Sequence, residues 1–129
     1  MNSAASPPAT PEFKNLFKQA MDLKYEERFG EAAQILERLL KMNPNSASVH
    51  ALLGDSLWDL GRLAEAIDSF QRAVELAPAS EMPSLGLFHT LLESGDKQRA
   101  VAEMDRFLRV SDSKEYQVLA RRLGHEPLG

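Results

Sequence analysis

The chain has 129 residues, 43% of them hydrophobic and 26% charged, with a net charge of -4 and no cysteine. That is one domain's worth of chain with enough apolar side chains for a core. The acidic balance excludes the basic face of a nucleic-acid binder and the polybasic stretch of a membrane-surface protein, and the missing cysteines exclude disulfides, thiolate zinc sites and thiol nucleophiles.

Residues 1–10, MNSAASPPAT, offer almost nothing to bury and predict a disordered arm. They lack the basic and apolar regions of a secretory leader, and no apolar run reaches the roughly 18 residues of a membrane span. A cytoplasmic location is the expectation. Thr10-Pro11 pairs an N-cap with a proline at the first helical position, opening a helix over 11–26. Further helices are expected near 29–42, 46–60, 63–76, 81–94 and 97–110. Residues 63–76 carry an apolar stripe at Leu63, Ala66, Ile67, Phe70, Ala73, Val74 and Leu76. Glu37–Lys41, Asp68–Arg72 and Asp105–Arg109 have the favourable acid-before-base order for exposed i,i+4 pairs. Gly61 and Gly95 fall at chain reversals, and Pro44 and Pro78 stop the helices before them. A seventh helix at about 114–123 has Asp112-x-x-Glu115 as a capping-box-like start and Gly124 as its stop. Its Tyr116, Leu119, Ala120 and Leu123 turn onto the preceding helices. Residues 125–129 are a tail in which His125 is solvated.

These elements repeat. Ala32, Ala66 and Ala100 are each 34 residues apart, as are Leu23, Leu57 and Leu91, and Arg38, Arg72 and Arg106. Pro44 and Pro78 keep the same step, and the triplets Leu36/Phe70/Met104 and Leu40/Val74/Leu108 share the frame.

A 34-residue period with this pattern resembles the tetratricopeptide repeat. Residues 47–80 are the most similar: His50 in the tryptophan place, Leu53-Gly54, Leu57 in the tyrosine place, Ala66-x₃-Phe70, Ala73 and Pro78. Residues 13–46 and 81–114 keep part of the pattern. The resemblance implies an all-α fold, a right-handed α-α superhelix of three helix-turn-helix repeats. Residues 11–124 form the domain, and the seventh helix covers the last repeat. Phe88 departs from the pattern, standing where Gly54 and Ala20 are small. Either the third helix pair splays apart there, or Gly86 marks a local shift.

Signals for catalysis are absent: no phosphate-binding glycine loop, no nucleophile elbow and no zinc-binding His pair. His50, His89 and His125 lack metal-ligand spacing, so neither metal nor cofactor is expected. His50 takes a core aromatic place and is expected inside the protein. Glu26-Glu27 is a solvated helix end. Arg38, Arg72 and Arg106 form a ladder at the surface or at the second-helix seams.

The resemblance also implies that the first helix of each repeat lines a concave face, with one row pointing into the groove. The row predicted here is Lys14, Phe17, Met21 and Lys24, then Ser48, Ala51, Asp55 and Trp58, then Met82, Leu85, His89 and Leu92. Leu52 lies beside it, while Leu57 and Leu60 belong to the core. The carboxylate-clamping lysines and asparagines of the chaperone-tail-binding members are missing, because Phe17, Met21, Leu52, Met82 and Gly86 hold those places. The face is therefore fitted to an apolar helix or extended segment of a partner protein. Alternatives for Trp58 stay open: a partner anchor, a wedge between neighbouring first helices, or a contact with the Pro-rich arm or a second copy. The function expected is a non-catalytic interaction module, in the role of adaptor, client chaperone or toxin-neutralising immunity protein. A self-associating scaffold, with a homodimer as its simplest form, is the alternative.

Overall fold

The computed structural model describes residues 10–127, so residues 1–9 of the arm predicted at 1–10 and residues 128–129 of the tail lie outside them. Among the described residues there are seven α-helices and no strand: α1 (Pro11–Tyr25), α2 (Phe29–Met42), α3 (Ala47–Asp59), α4 (Leu63–Leu76), α5 (Glu81–Glu93), α6 (Lys97–Val110) and α7 (Lys114–Leu123). Each begins where the sequence supplies a first-turn acceptor or a polar break. Thr10 Oγ1 accepts from the Phe13 amide at 3.1 Å, Ser46 Oγ from Val49, and Asp96 Oδ1 from Arg99. The last helix starts at Ser113, whose hydroxyl accepts from the Tyr116 amide at 3.0 Å, and not at Asp112. Ser is the better placed cap because it directly precedes the first helical residue.

The turns inside the helix pairs share one construction. The amides of Arg28, Arg62 and Asp96 reach back to the carbonyls of Leu23, Leu57 and Leu91 at 2.8, 2.9 and 2.9 Å. This explains why leucine-to-turn spacing is constant along the chain. The residue just before each of those amides adopts a left-handed conformation: Glu27 (φ 61°), Gly61 (φ 76°) and Gly95 (φ 91°). Glycine does this freely, whereas Glu27 carries a Cβ into it.

Helices pack in sequence, α1 on α2, α2 on α3, and so on to α6, with α3 also touching α5. The centre of the core is Phe70 of α4, fully buried. Its ring lies against two glycines of different repeats: Gly54 in α3 and Gly86 in α5. A Cβ at Gly54 would stand 2.9 Å from the ring, and one at Gly86 would fall inside its van der Waals envelope. In the third repeat Met104 occupies the place of Phe70, and the bulky ring is instead Phe88 on α5, fully buried. Phe88 meets Tyr116 of α7 edge-on at 5.4 Å, and Tyr116 also packs on Phe107 at 5.6 Å. The α5–α6 seam is less extensive than the α3–α4 seam.

Leu60 is not core. The helix ends at Asp59, so Leu60 leaves the apolar stripe and is 39% exposed. The Asp105–Arg109 surface pair is also replaced: Asp105 is buried and its Oδ1 lies 2.9 Å from His125 Nε2. His125 is consequently half-buried, not solvated, because residues 124–127 fold back over the α6–α7 end.

Two stability measurements check this construction. Gly86→Ala is expected to destabilise by about 1–3 kcal/mol in denaturant unfolding, since the Phe70 ring has no room to retreat, while Gly30→Ala, open on all sides, costs nothing. Glu27→Gly is expected to stabilise by about 1 kcal/mol by removing the left-handed strain; no gain would show that the turn is unstrained.

Candidate partner-binding face

The predicted rows of the successive first helices are unequally exposed. In α1, Lys14 and Met21 are exposed, Phe17 and Lys24 half-buried. In α3, Ser48 is exposed and Leu52, Asp55 and Trp58 are half-buried. Ala51 is fully buried, contrary to expectation. The cause is position in the stack: α3 is hemmed in by α2, α4 and α5, so a wider arc of it is covered than of terminal α1. In α5, Met82 is exposed, while Leu85, His89 and Leu92 are half-buried.

The structure joins several of these residues across repeats. Lys24 Nζ lies 3.3 Å from Asp55 Oδ2, linking α1 to α3. Trp58 Nε1 donates to Glu93 Oε1 at 2.8 Å, linking α3 to α5. The indole thus braces the second repeat against the third, with part of its ring packed on the core. Phe13 and Phe17 stack at 6.5 Å between centroids. With Lys14, Ser46 and Ser48 they line a cleft of about 320 Å³. His89 sits edge-on to Phe88 at 5.2 Å, which turns it toward an aromatic neighbour.

Charge is uneven on this face. Asp59 has its carboxyl pushed above the usual carboxylate range, first by partial burial and then by the nearby Asp55 and Glu27 carboxylates, with Lys24 opposing.

A polar cluster at the other end escaped the sequence reading. Ser84 Oγ donates to Glu103 Oε2 at 2.6 Å and is 2.7 Å from the Tyr116 hydroxyl, which must then donate to Ser84. Arg106 grips both oxygens of Glu103, at 2.8 and 2.7 Å, and its Nη1 donates to the Pro78 carbonyl at 2.9 Å. Burial drives the Tyr116 phenol far above its ordinary range, so it stays protonated. The signal was present in the frame: Ser84 stands where Leu16 is apolar, a small polar residue in a core place. The arginine ladder likewise has a local use. Arg72 pairs with Glu75, not with Asp68, and reaches Asn45 Oδ1 at 3.3 Å, as Arg106 reaches Pro78. Both brace the loop leading into their own repeat. His50, expected inside, is half-buried with Nε2 2.8 Å from the Pro44 carbonyl, because the first turn of α3 borders that loop.

The tetratricopeptide repeat family matches residues 17–81. The chain belongs to that family. A relative in Aquifex aeolicus (strain VF5), an uncharacterised protein, is 36% identical over 83 residues, which are 64% of this chain and 11% of the relative. The chain therefore spans only a small part of that protein's length. Among solved structures, the fold is similar to SycD of Yersinia enterocolitica, a type III secretion chaperone in complex with a peptide of the translocator YopD (TM-score 0.77, 15% identity, 89% of this chain and 88% of that one). It is also similar to MamA (TM-score 0.76, 16% identity, 87% and 68%) and to a mutant of MamA (TM-score 0.71, 23% identity, 81% and 77%). These likenesses establish a tetratricopeptide solenoid. No helix among the described residues is long and apolar enough to cross a membrane.

The Trp58 brace is tested by a double-mutant cycle of Trp58→Phe and Glu93→Ala in denaturant unfolding. A coupling of about 0.5–1 kcal/mol is expected for an exposed indole-to-carboxylate bond; a coupling near zero would remove the bond from the account.

Proposed function

We propose that the chain is a non-catalytic protein-interaction module, receiving an apolar helix or extended segment of a partner protein on the inner face of its first helices. One observation carries this reading: Met21 and Met82 are 42% and 54% exposed in the same row as half-buried Phe17, Trp58, Leu85 and Leu92, with half-buried Leu52 beside it. Exposed methionines flanked by partly covered apolar groups form an adaptable surface whose burial is favourable only against a guest. Lys14, Lys24, Asp55 and His89 supply polar contacts along it. The recognition unit is residues 11–124, as repeats 13–46, 47–80 and 81–114 under α7. SycD, whose complex with a YopD peptide is similar in fold, lends support to peptide capture, and a chaperone for one client is the role favoured among adaptor, chaperone and immunity protein. The buried Tyr116 phenol and Glu103 are held by structural partners, which fits a non-catalytic chain; the acidic composition fits a protein partner better than a nucleic acid.

Self-association is the second reading, favoured by Val110, 55% exposed on α6 away from the inner row. Light scattering at two concentrations separates the two, since a monomer at both removes the scaffold. The test of the first is a capture experiment from the native cell with wild type and the Met21→Ser/Met82→Ser double variant. Losing two methionine contacts is expected to weaken capture by roughly tenfold or more. A partner retained equally by both proteins would refute the inner face as the docking surface.

A further inference from the structure

Building on that reading, we infer that the partner segment is basic as well as apolar: an apolar stripe flanked by arginine or lysine, the cations seating along the edge where the first helices end. The last residues of α1, α3 and α5 are Tyr25, Asp59 and Glu93, at the same place in successive repeats. That edge already carries partial negative charge, because the negative end of each helix dipole lies there, although the turn amides cap most of the last-turn carbonyls. Stability alone would put cations at such ends, yet α3 and α5 have no basic residue in their last turns. Carboxylates stand there instead, and Glu26 and Glu27 follow α1. α1 keeps the rule, with Lys24 in its last turn; its breach in both α3 and α5 marks a surface shaped for a guest.

The neighbouring cations are already engaged. Lys24 lies against Asp55, Arg28 grips Glu31 at 2.7 and 2.8 Å and reaches Glu26, and Arg62 holds both oxygens of Glu65. Asp59 faces Asp55 and Glu27 with Lys24 as its counter-charge; its carboxyl is raised first by partial burial, and the crowding of like charge adds to the rise. An arriving guanidinium or ammonium relieves it. Tyr25, 91% exposed at the same edge, offers a bare aromatic face for a cation to stack on. One helical turn before Tyr25 comes Met21, so the apolar row runs straight into this edge. Apolar contact and charge complementarity are therefore offered side by side.

The test uses two synthetic helix-forming peptides of about 15–20 residues with one shared Leu/Met stripe, flanked by arginine in one and by glutamate in the other. Binding to the full chain is measured by calorimetry. The arginine peptide is expected to bind at least about tenfold tighter, with a preference that shrinks as salt rises. The Glu27→Gln/Asp59→Asn variant, altered at exposed positions, is expected to lose most of that preference, and Tyr25→Ala part of it. Met21→Ser/Met82→Ser should weaken both peptides alike. Equal binding of the two peptides, still weakened by the methionine variant, overturns the basic partner and leaves the inner-face reading standing. Binding of neither peptide, or binding indifferent to the methionines, overturns both. A dimer that breaks up on Tyr25→Ala would overturn the peptide partner in favour of a second copy.

Discussion

The ring of Phe70 is shared between two glycines that belong to different repeats, Gly54 of its own and Gly86 of the next. Because the ring is fully buried, three helices are held at separations set by its thickness. α3 and α5 come as close as they do because neither has a Cβ at the contact. That spacing fixes how far apart the inner rows stand, and hence which of their side chains are covered. Ala51 disappears into this seam, while Met82 at the start of α5 stays outside it. The last repeat cannot use the same device, since Met104 replaces the ring. There the aromatic volume moves to Phe88 and α7 closes over it with Tyr116.

The two ends of the molecule are finished differently as a result. At the α7 end, buried Tyr116, Ser84 and Glu103 form a hydrogen-bonded set capped by half-buried Arg106, with buried Ser113 bonded to Glu81. A buried set of this kind adds little net stability but penalises any packing in which a member loses its partner. It therefore dictates how the last helix sits on the third repeat. At the α1 end, Leu16 and Ala20 alone are deeply buried, so the first helix depends on its apolar seam with α2 and on the Lys24–Asp55 contact with α3.

Most of the fold was legible because the 34-residue period assigns a direction to every position at once. Helix limits follow from Thr10, Gly61, Pro44, Pro78 and Gly95, local signals whose physics is complete within a few residues. What the period could not reveal were contacts between residues with no counterpart in the neighbouring repeats. Ser84 bonds Tyr116 across 32 positions and His125 reaches back 20 to Asp105; neither partner repeats. Leu60 was misplaced because an apolar residue one step past a helix end continues the stripe in sequence but not in space. Of the inner row, exposure at Met21 and Met82 was legible. The brace between Trp58 and Glu93 was not, since sequence spacing cannot say which acid an indole meets.

Both links along the inner wall, Lys24 to Asp55 and Trp58 to Glu93, run from one repeat to the next. They tie the first helix of each repeat to that of the next along the row proposed to receive the guest. A guest that takes Asp55 or Glu93 for its own cation must release one of these ties. On that proposal, occupancy and the spacing of the first helices are a single coupled equilibrium: stronger ties would resist a guest, and weaker ones would yield to it.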